Sequence, residues 1–127
     1  QNLFISAATP NQLGAMVAFD CYEELDAHLT RYQENRDRLI AELPADFAGQ
    51  HAPAEGAFYL YVDIGAISKN ASDFARRLLH EAGVAVTPGI DFDRTEGGRH
   101  LRLSYAGSSR TINTAIDRIN DWLPTIT

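Results

Sequence analysis

The stretch Gly98–Ala106 reads GRHLRLSYA and predicts a core strand over its central residues. Alternate side chains of an extended chain point to opposite faces. One face holds Leu101, Leu103 and Tyr105, and the other holds His100, Arg102 and Ser104. The guanidinium of Arg102 needs a partner there, and its planar fork matches a carboxylate. A second interpretation stays open, in which this face of an antiparallel sheet meets solvent.

Two further strands and a helix are predicted before this strand. Gly56–Asp63 is rich in aromatic residues and alternates in the manner of a strand covered on both faces. Val84–Thr87 is a shorter apolar run that ends at a Pro-Gly pair. Between them, Asn70 or Ser72 is suited to cap a helix that ends at Gly83.

The N-terminal part of the chain predicts one long helix, bent near residues 20–24. Thr9 and Gln12 have the spacing of a capping box, and a proline at the first helical position supports a helix start there. Leu13–Phe19 is apolar on most sides, so we expect it to be buried. Leu25–Leu43 is amphipathic, with apolar residues three and four apart.

The order of these elements predicts an α+β fold, a two-layer small domain in which helices pack on a short mixed or antiparallel sheet. A last helix, capped by Ser108 or Ser109, completes it. Its apolar stripe holds Ile112, Ala115, Ile116, Ile119 and Leu123. We expect a single domain over residues 1–127, a size that can bury a core. Gln1–Ser6 reads as the continuation of a longer chain, so we expect a fragment.

Composition excludes several classes of function. The chain has 11 basic and 17 acidic residues and a formal charge of -6, so no basic stripe is available for nucleic acid. A lone cysteine and the lack of a long apolar segment favour a cytoplasmic protein that does not enter a membrane. Four scattered histidines show no metal-ligand spacing, and we expect no metal site. No nucleophile elbow, phosphate-binding loop or dinucleotide-binding turn is present.

An ordered set of motifs resembles the C-terminal small domain of class I/II, fold-type I, aminotransferases. The resemblance covers nearly the whole chain, and its strength lies in the order and spacing of the pieces. They are Gly56-Ala57-Phe58-Tyr59, Phe74 with Leu78-Leu79, Gly83–Gly89 (GVAVTPG), Phe92, and His100–Ala106 (HLRLSYA). The family often has glycine after this phenylalanine, whereas this chain has Asp93, so the loop shape is expected to differ.

The resemblance implies a function for one residue above all. Arg102 matches the arginine that binds the substrate α-carboxylate in this family. The full-length protein would then move an amino group between an amino acid and a 2-oxo acid with pyridoxal 5′-phosphate, as a homodimer of chains that each carry a large domain. Its substrates would be those two acids, and the reaction could instead be elimination by a C–S lyase of the same fold type.

The residues needed for the cofactor are not recognised in this chain. The only lysine, Lys69, lies in a polar loop whose sequence does not match the family's Schiff-base motif. We therefore expect no catalytic and no cofactor-binding residue here, and no activity from the fragment alone. Beside the strand arginine, His100 is expected to be structural. A rival from another class is the effector domain of an aminotransferase-like transcriptional regulator, and a third is a free-standing binding module.

Overall fold

The structure, a computed structural model, describes residues 7–126. The chain divides into two units, Gln1–Thr30 and Arg31–Thr127, and each is described by itself. The expectation that Gln1–Ser6 continues a longer chain lies outside the described residues. Among residues 7–126, helices that combine the length and the apolar character needed to cross a bilayer are absent.

The first unit begins with helix α1, Thr9–Val17, which is followed by a 3₁₀ turn over Ala18–Asp20. The predicted capping box is wrong: Ala8 is the N-cap residue, and no side chain caps the helix. The Gln12 side chain instead donates to the carbonyl of Ala7 at 2.6 Å. Because Thr9 already has helical backbone geometry, its hydroxyl is not in the place of a capping group.

The predicted long helix is interrupted rather than bent. Cys21 leaves helical geometry with φ -107° and ψ 41°, and helix α2 then runs over Tyr22–Glu42. The expected burial of Leu13–Phe19 is also wrong, since Leu13 is 62% and Phe19 72% exposed. A single short helix cannot cover its own apolar side chains, and residues 7–30 supply no second layer of structure to cover them.

The second unit holds the rest of α2 and the sheet. In chain order its elements are α3 (Ala45–Ala48), β1 (Tyr59–Asp63), α4 (Ala71–Arg77) continued by a π turn (Leu78–Ala82), β2 (Thr87–Pro88), β3 (His100–Ser104) and α5 (Ser109–Trp122). Within residues 31–126 the three strands form one antiparallel sheet in the order β1-β3-β2. The predicted α+β fold with helices packed on a short sheet is confirmed.

The predicted helix caps around the sheet are confirmed in two places. The Asn70 side chain accepts from the backbone N–H of Asp73 at 3.0 Å, and Ser108 accepts from Thr111 at 3.1 Å. Gly83 ends the helical segment in the left-handed region, with φ +68°. A side chain with a Cβ is strained in that region, which explains glycine there.

The strand predicted over Val84–Thr87 is shorter than expected and begins later, at Thr87. Val84 bonds back to the carbonyl of Leu78 and so belongs to the end of the helical segment. Pairing with β3 involves only Thr87 and Pro88, opposite Arg102 and Leu101. Proline is tolerated there because β2 is an edge strand, where the missing N–H costs no ladder bond.

One face of the sheet packs against the helices and forms the core. Leu60 and Leu101 are fully buried, and the stripe of α5 packs with them. Four predicted members of that stripe are buried, namely Ile112, Ile116, Ile119 and Leu123, and Trp122 is buried beside them. Each large apolar side chain removed from water contributes about 1.5–3 kcal/mol. This burial fixes which face of β3 is turned away from the helices.

Asn35 is the buried polar residue of this core. Its amide group donates to the carbonyls of Tyr105 and Gly107 at 3.0 and 3.1 Å. It thereby ties α2 to the end of β3, where the chain turns towards α5. The sequence pattern did not single it out, because an asparagine within a polar helix face carries no signal of burial.

We expect Asn35→Ala to lower the free energy of unfolding by about 1–3 kcal/mol, since a buried carbonyl and a part-buried one lose their donor. Urea denaturation followed by circular dichroism measures the change. Gln33→Ala, an exposed position on the same helix, is the control and is expected to change stability by less than about 0.5 kcal/mol. Equal stability of the Asn35 variant and the unmodified chain would contradict this assignment.

Candidate functional site

Arg102 lies at the middle of the central strand, on the face opposite the core. Tyr61 of β1 and Thr87 of β2 are its cross-strand partners. The alternation predicted for this strand is confirmed, because Leu101 and Leu103 are buried while Arg102 is half-buried. The guanidinium is thus held on a sheet face that the helices of the second unit leave uncovered.

Two aromatic rings contact the guanidinium of Arg102. Its Cζ lies over the ring of Tyr59 and over the ring of Phe92, 4.2 Å from each centroid. Within residues 7–126, the Arg102 side chain makes no hydrogen bond or ion pair. Ring faces attract a cation but do not accept its N–H groups in the way that oxygen does. The in-plane donors of Arg102 are consequently left for another acceptor.

Two acidic side chains, Asp63 of the sheet and Asp93 of the following loop, are engaged with other groups. Asp63, on the same face of β1, receives two hydrogen bonds from Arg99, at 2.9 and 2.6 Å, and one from the Gly65 N–H at 2.7 Å. Asp93 accepts from the backbone N–H groups of Thr95 and Glu96. These contacts lower the pKa of both carboxyl groups, and they engage both oxygens of Asp63 and the Oδ1 atom of Asp93.

The loop that carries Phe92 is closed by a contact between two glycines. A Cβ added to Gly97 would lie 2.5 Å from the carbonyl carbon of Gly89, and one added to Gly89 would lie 2.5 Å from the Tyr61 hydroxyl. The Asp93 side chain fixes the turn between them through its bonds to backbone N–H groups. Asp93 therefore has a structural role at the position where the resemblance led us to expect a changed loop.

Tyr61 and His100 support this loop from the sheet. Their rings stack in parallel with centroids 4.9 Å apart, and the Nδ1 atom of His100 lies 2.9 Å from the carbonyl of Glu96. These two contacts explain the orientation of the His100 ring, so no ligand is needed to explain it. The Tyr61 hydroxyl is buried without a hydrogen-bond partner among the described residues. Burial, followed by the charge of Asp93, raises the pKa of Tyr61.

A surface groove of about 600 Å³ is lined in part by Gln50, Asp63 and Arg99, and its lining does not include Arg102. The arginine in this groove, Arg99, is paired with Asp63. Among residues 7–126, groups of three or more side chains suited to hold a metal ion are not found.

Comparison with known proteins identifies the family. The model of the class I and II aminotransferases matches residues 1–119. The chain belongs to the class I and II aminotransferase family. It is 38% identical to a valine–pyruvate aminotransferase of Mycobacterium tuberculosis over 97% of this chain and 32% of that protein. It is 36% identical to a (5-formylfuran-3-yl)methyl phosphate transaminase of Methanocaldococcus jannaschii, with the same coverage.

Solved structures of aminotransferases share the fold. A crystal structure from Silicibacter pomeroyi, assigned as an aminotransferase, gives a TM-score of 0.88 at 40% identity over 98% of this chain and 34% of that one. An aminotransferase from Mycobacterium tuberculosis gives 0.77 at 41% identity over 81% of this chain and 27% of that one. The chain thus spans about a third of the length of the relatives it matches.

Aminotransferases of this family are generally dependent on pyridoxal phosphate, but the described residues do not by themselves fit that cofactor. The cofactor acts through a lysine Schiff base, a partner for the ring nitrogen and a phosphate site. Lys69, the only lysine of the sequence, is exposed in the loop before α4. No step of cofactor chemistry is therefore assigned to this chain.

The sequence pattern singled out Arg102 but not the two rings that contact it. Tyr59 lies in the aromatic stretch for which the sequence predicts a strand, but that pattern does not indicate contact with an arginine. Phe92 was part of the resemblance, but no local pattern shows that a residue after a Pro-Gly turn reaches the middle of the next strand. That contact depends on the order β1-β3-β2 and on the closure of the loop.

We expect Gly97→Ala to destabilise the chain by about 1–3 kcal/mol, because its Cβ would enter the backbone of Gly89. Gly98→Ala is the matched control, since the nearest atom to its Cβ would be a carbonyl oxygen at an ordinary 3.6 Å. Urea denaturation of both variants measures the difference. Equal stabilities would show that the loop closure is not tight.

The Asp63–Arg99 pair predicts a dependence of stability on pH. The pKa of Asp63 is lowered in the folded state, first by its hydrogen bonds from Arg99. Such a carboxyl group stabilises the fold above its unfolded pKa, about 3.9, and this contribution is lost as the pH falls through the folded pKa. Asp63→Asn should therefore destabilise the chain at pH 6, and the difference from the unmodified chain should shrink towards pH 3.

Urea denaturation at the two pH values measures this effect. Asp117→Asn, at an exposed position of α5, is the control and should give a smaller difference at pH 6. A stability difference for Asp63→Asn that stays constant from pH 6 to pH 3 would exclude the ion pair as its source.

Proposed function

We propose that the full-length protein is a pyridoxal-phosphate-dependent aminotransferase and that Arg102 binds the α-carboxylate of its substrates. The observation that carries the proposal is a half-buried guanidinium whose in-plane donors have no acceptor among residues 7–126. A carboxylate supplies two oxygens in the same plane and at the spacing of the fork. Amino acids and 2-oxo acids both carry this group, so one arginine serves both halves of the reaction.

The surroundings of Arg102 favour an anion over a neutral ligand. Asp63 is hydrogen-bonded to Arg99 and Asp93 to backbone N–H groups, and neither carboxylate pairs with the guanidinium of Arg102. A bound α-carboxylate would fix one end of the substrate and leave its amino or oxo group in a defined orientation. Such orientation lowers the barrier of the following steps by removing the freedom of the reacting groups.

The cofactor and its lysine would be supplied by a large domain outside these 127 residues. Pyridoxal phosphate, when bound, supplies an electron sink for bonds at the substrate Cα. Residues 1–127 would then form one small domain of a longer chain that works as a homodimer, and they would have no activity alone. The relatives named above are transaminases that differ in substrate, which supports amino-group transfer as the shared reaction.

Arg102→Ala and Arg102→Lys in the full-length protein test the role. We expect kcat/KM for the amino acid to fall about 10- to 100-fold, because a charge-assisted pair contributes about 1.5–3 kcal/mol. The loss should be much smaller for the corresponding amino-acid amide, whose neutral carboxamide does not form that pair. Steady-state kinetics with both substrates measure the ratio.

The matched control is Arg110→Ala, an exposed arginine in the first turn of α5. Its kinetics should equal those of the unmodified enzyme, and near-ultraviolet circular dichroism should show that each variant keeps its fold. An unchanged preference for the acid over the amide in Arg102→Ala would refute the proposed role.

A further inference from the structure

The two rings on Arg102 come from different parts of the second unit. Tyr59 opens β1, and its ring also contacts Phe58, with centroids 4.4 Å apart. Phe92 follows the 3₁₀ turn Gly89–Asp91 and is 54% exposed. Tyr59 is therefore fixed by the sheet, whereas Phe92 is held against the guanidinium by a loop. A phenylalanine this exposed gains little from core packing, and its ring contacts the guanidinium of Arg102.

Contact with the rings restrains the plane of the guanidinium. An arginine side chain has many rotamers, and binding a ligand at a defined angle requires that most of them be excluded beforehand. Aromatic faces attract the cation through their negative quadrupole and leave its N–H groups free. An acidic partner would instead occupy those same N–H groups and would have to be displaced by the ligand.

We propose that Phe92 and Tyr59 are positioning residues, which hold the plane of the Arg102 guanidinium so that its free edge meets the substrate carboxylate. This inference rests on the proposed function of Arg102 and extends it to the loop. The closure of Gly89 on Gly97 and the turn fixed by Asp93 determine where Phe92 lies. Affinity for the carboxylate thus depends on a loop whose other side chains need not touch it.

The test compares three variants of the full-length protein. Phe92→Leu keeps an apolar side chain but removes the quadrupole, Phe92→Tyr keeps both, and Ile90→Ala alters an exposed residue of the same loop. We expect Phe92→Leu to raise KM for the amino acid and for the 2-oxo acid by about two- to fivefold, the value of one exposed cation–π contact. Its kcat should change by less than twofold, and the other two variants should keep both constants.

A second readout does not depend on activity. The Nε–Hε proton of an arginine held over aromatic rings resonates upfield of a solvated one. In full-length protein labelled with ¹⁵N-arginine, Arg102→Lys identifies the resonance. We expect this resonance to move downfield in Phe92→Leu and to keep its position in Phe92→Tyr and Ile90→Ala.

The outcomes separate this inference from the proposed function. An unchanged KM and an unchanged resonance in Phe92→Leu would overturn the positioning role, and so would a failure of Phe92→Tyr to preserve them. If Phe92→Leu fails to fold, Tyr59→Leu and Tyr59→Phe supply the same comparison from the sheet side. The proposed function is overturned by a different result: an Arg102→Ala variant that prefers the acid over the amide as strongly as the unmodified enzyme does. That outcome is independent of the results for the ring variants.

Discussion

The structure of the second unit depends on the central position of β3. Its Leu101 and Leu103 are buried against the helices, and a strand that buries one set of alternate side chains must present the other set on its opposite face. Pairing with β1 on one edge and β2 on the other then fixes the register of β3, and with it the cross-strand neighbours of each residue. Arg102 is therefore placed by apolar burial on the other side of its own backbone, without an acidic partner to hold it.

The open edge of Arg102 results from how the surrounding polar groups are satisfied. Asp63 bonds to Arg99 and Gly65, and Asp93 bonds to backbone N–H groups in its own turn. Each carboxylate thereby stabilises a connection that borders the sheet face. The same bonds engage both oxygens of Asp63 and the Oδ1 atom of Asp93 in local structure, and neither residue forms an ion pair with Arg102.

Alternation and capping were sufficient to predict the fold class and the faces of β1 and β3, because those patterns are local. They were insufficient for the start of β2, where Val84 is used to end a helix, and for α1, where Thr9 lies inside the helix it was expected to cap. The motif around Arg102 was found from sequence, with the help of a family resemblance. The contacts of Tyr59 and Phe92 with Arg102 were not predicted, because they depend on the strand order and on a loop closed by backbone contact.

The chain has 17 acidic and 11 basic residues, and several of its arginines form ion pairs with carboxylates. Arg38, Arg76 and Arg77, for example, each pair with an acid one helical turn away. Arg102 differs in kind, since its neighbours are rings that stabilise the charge without occupying its donors. An ion pair at this position would have to be broken before an anionic ligand could bind, at a cost equal to the pair. Aromatic contact avoids that competition. Rings stacked on the two faces of a guanidinium restrain it and leave the N–H groups along its edge available to an anionic ligand.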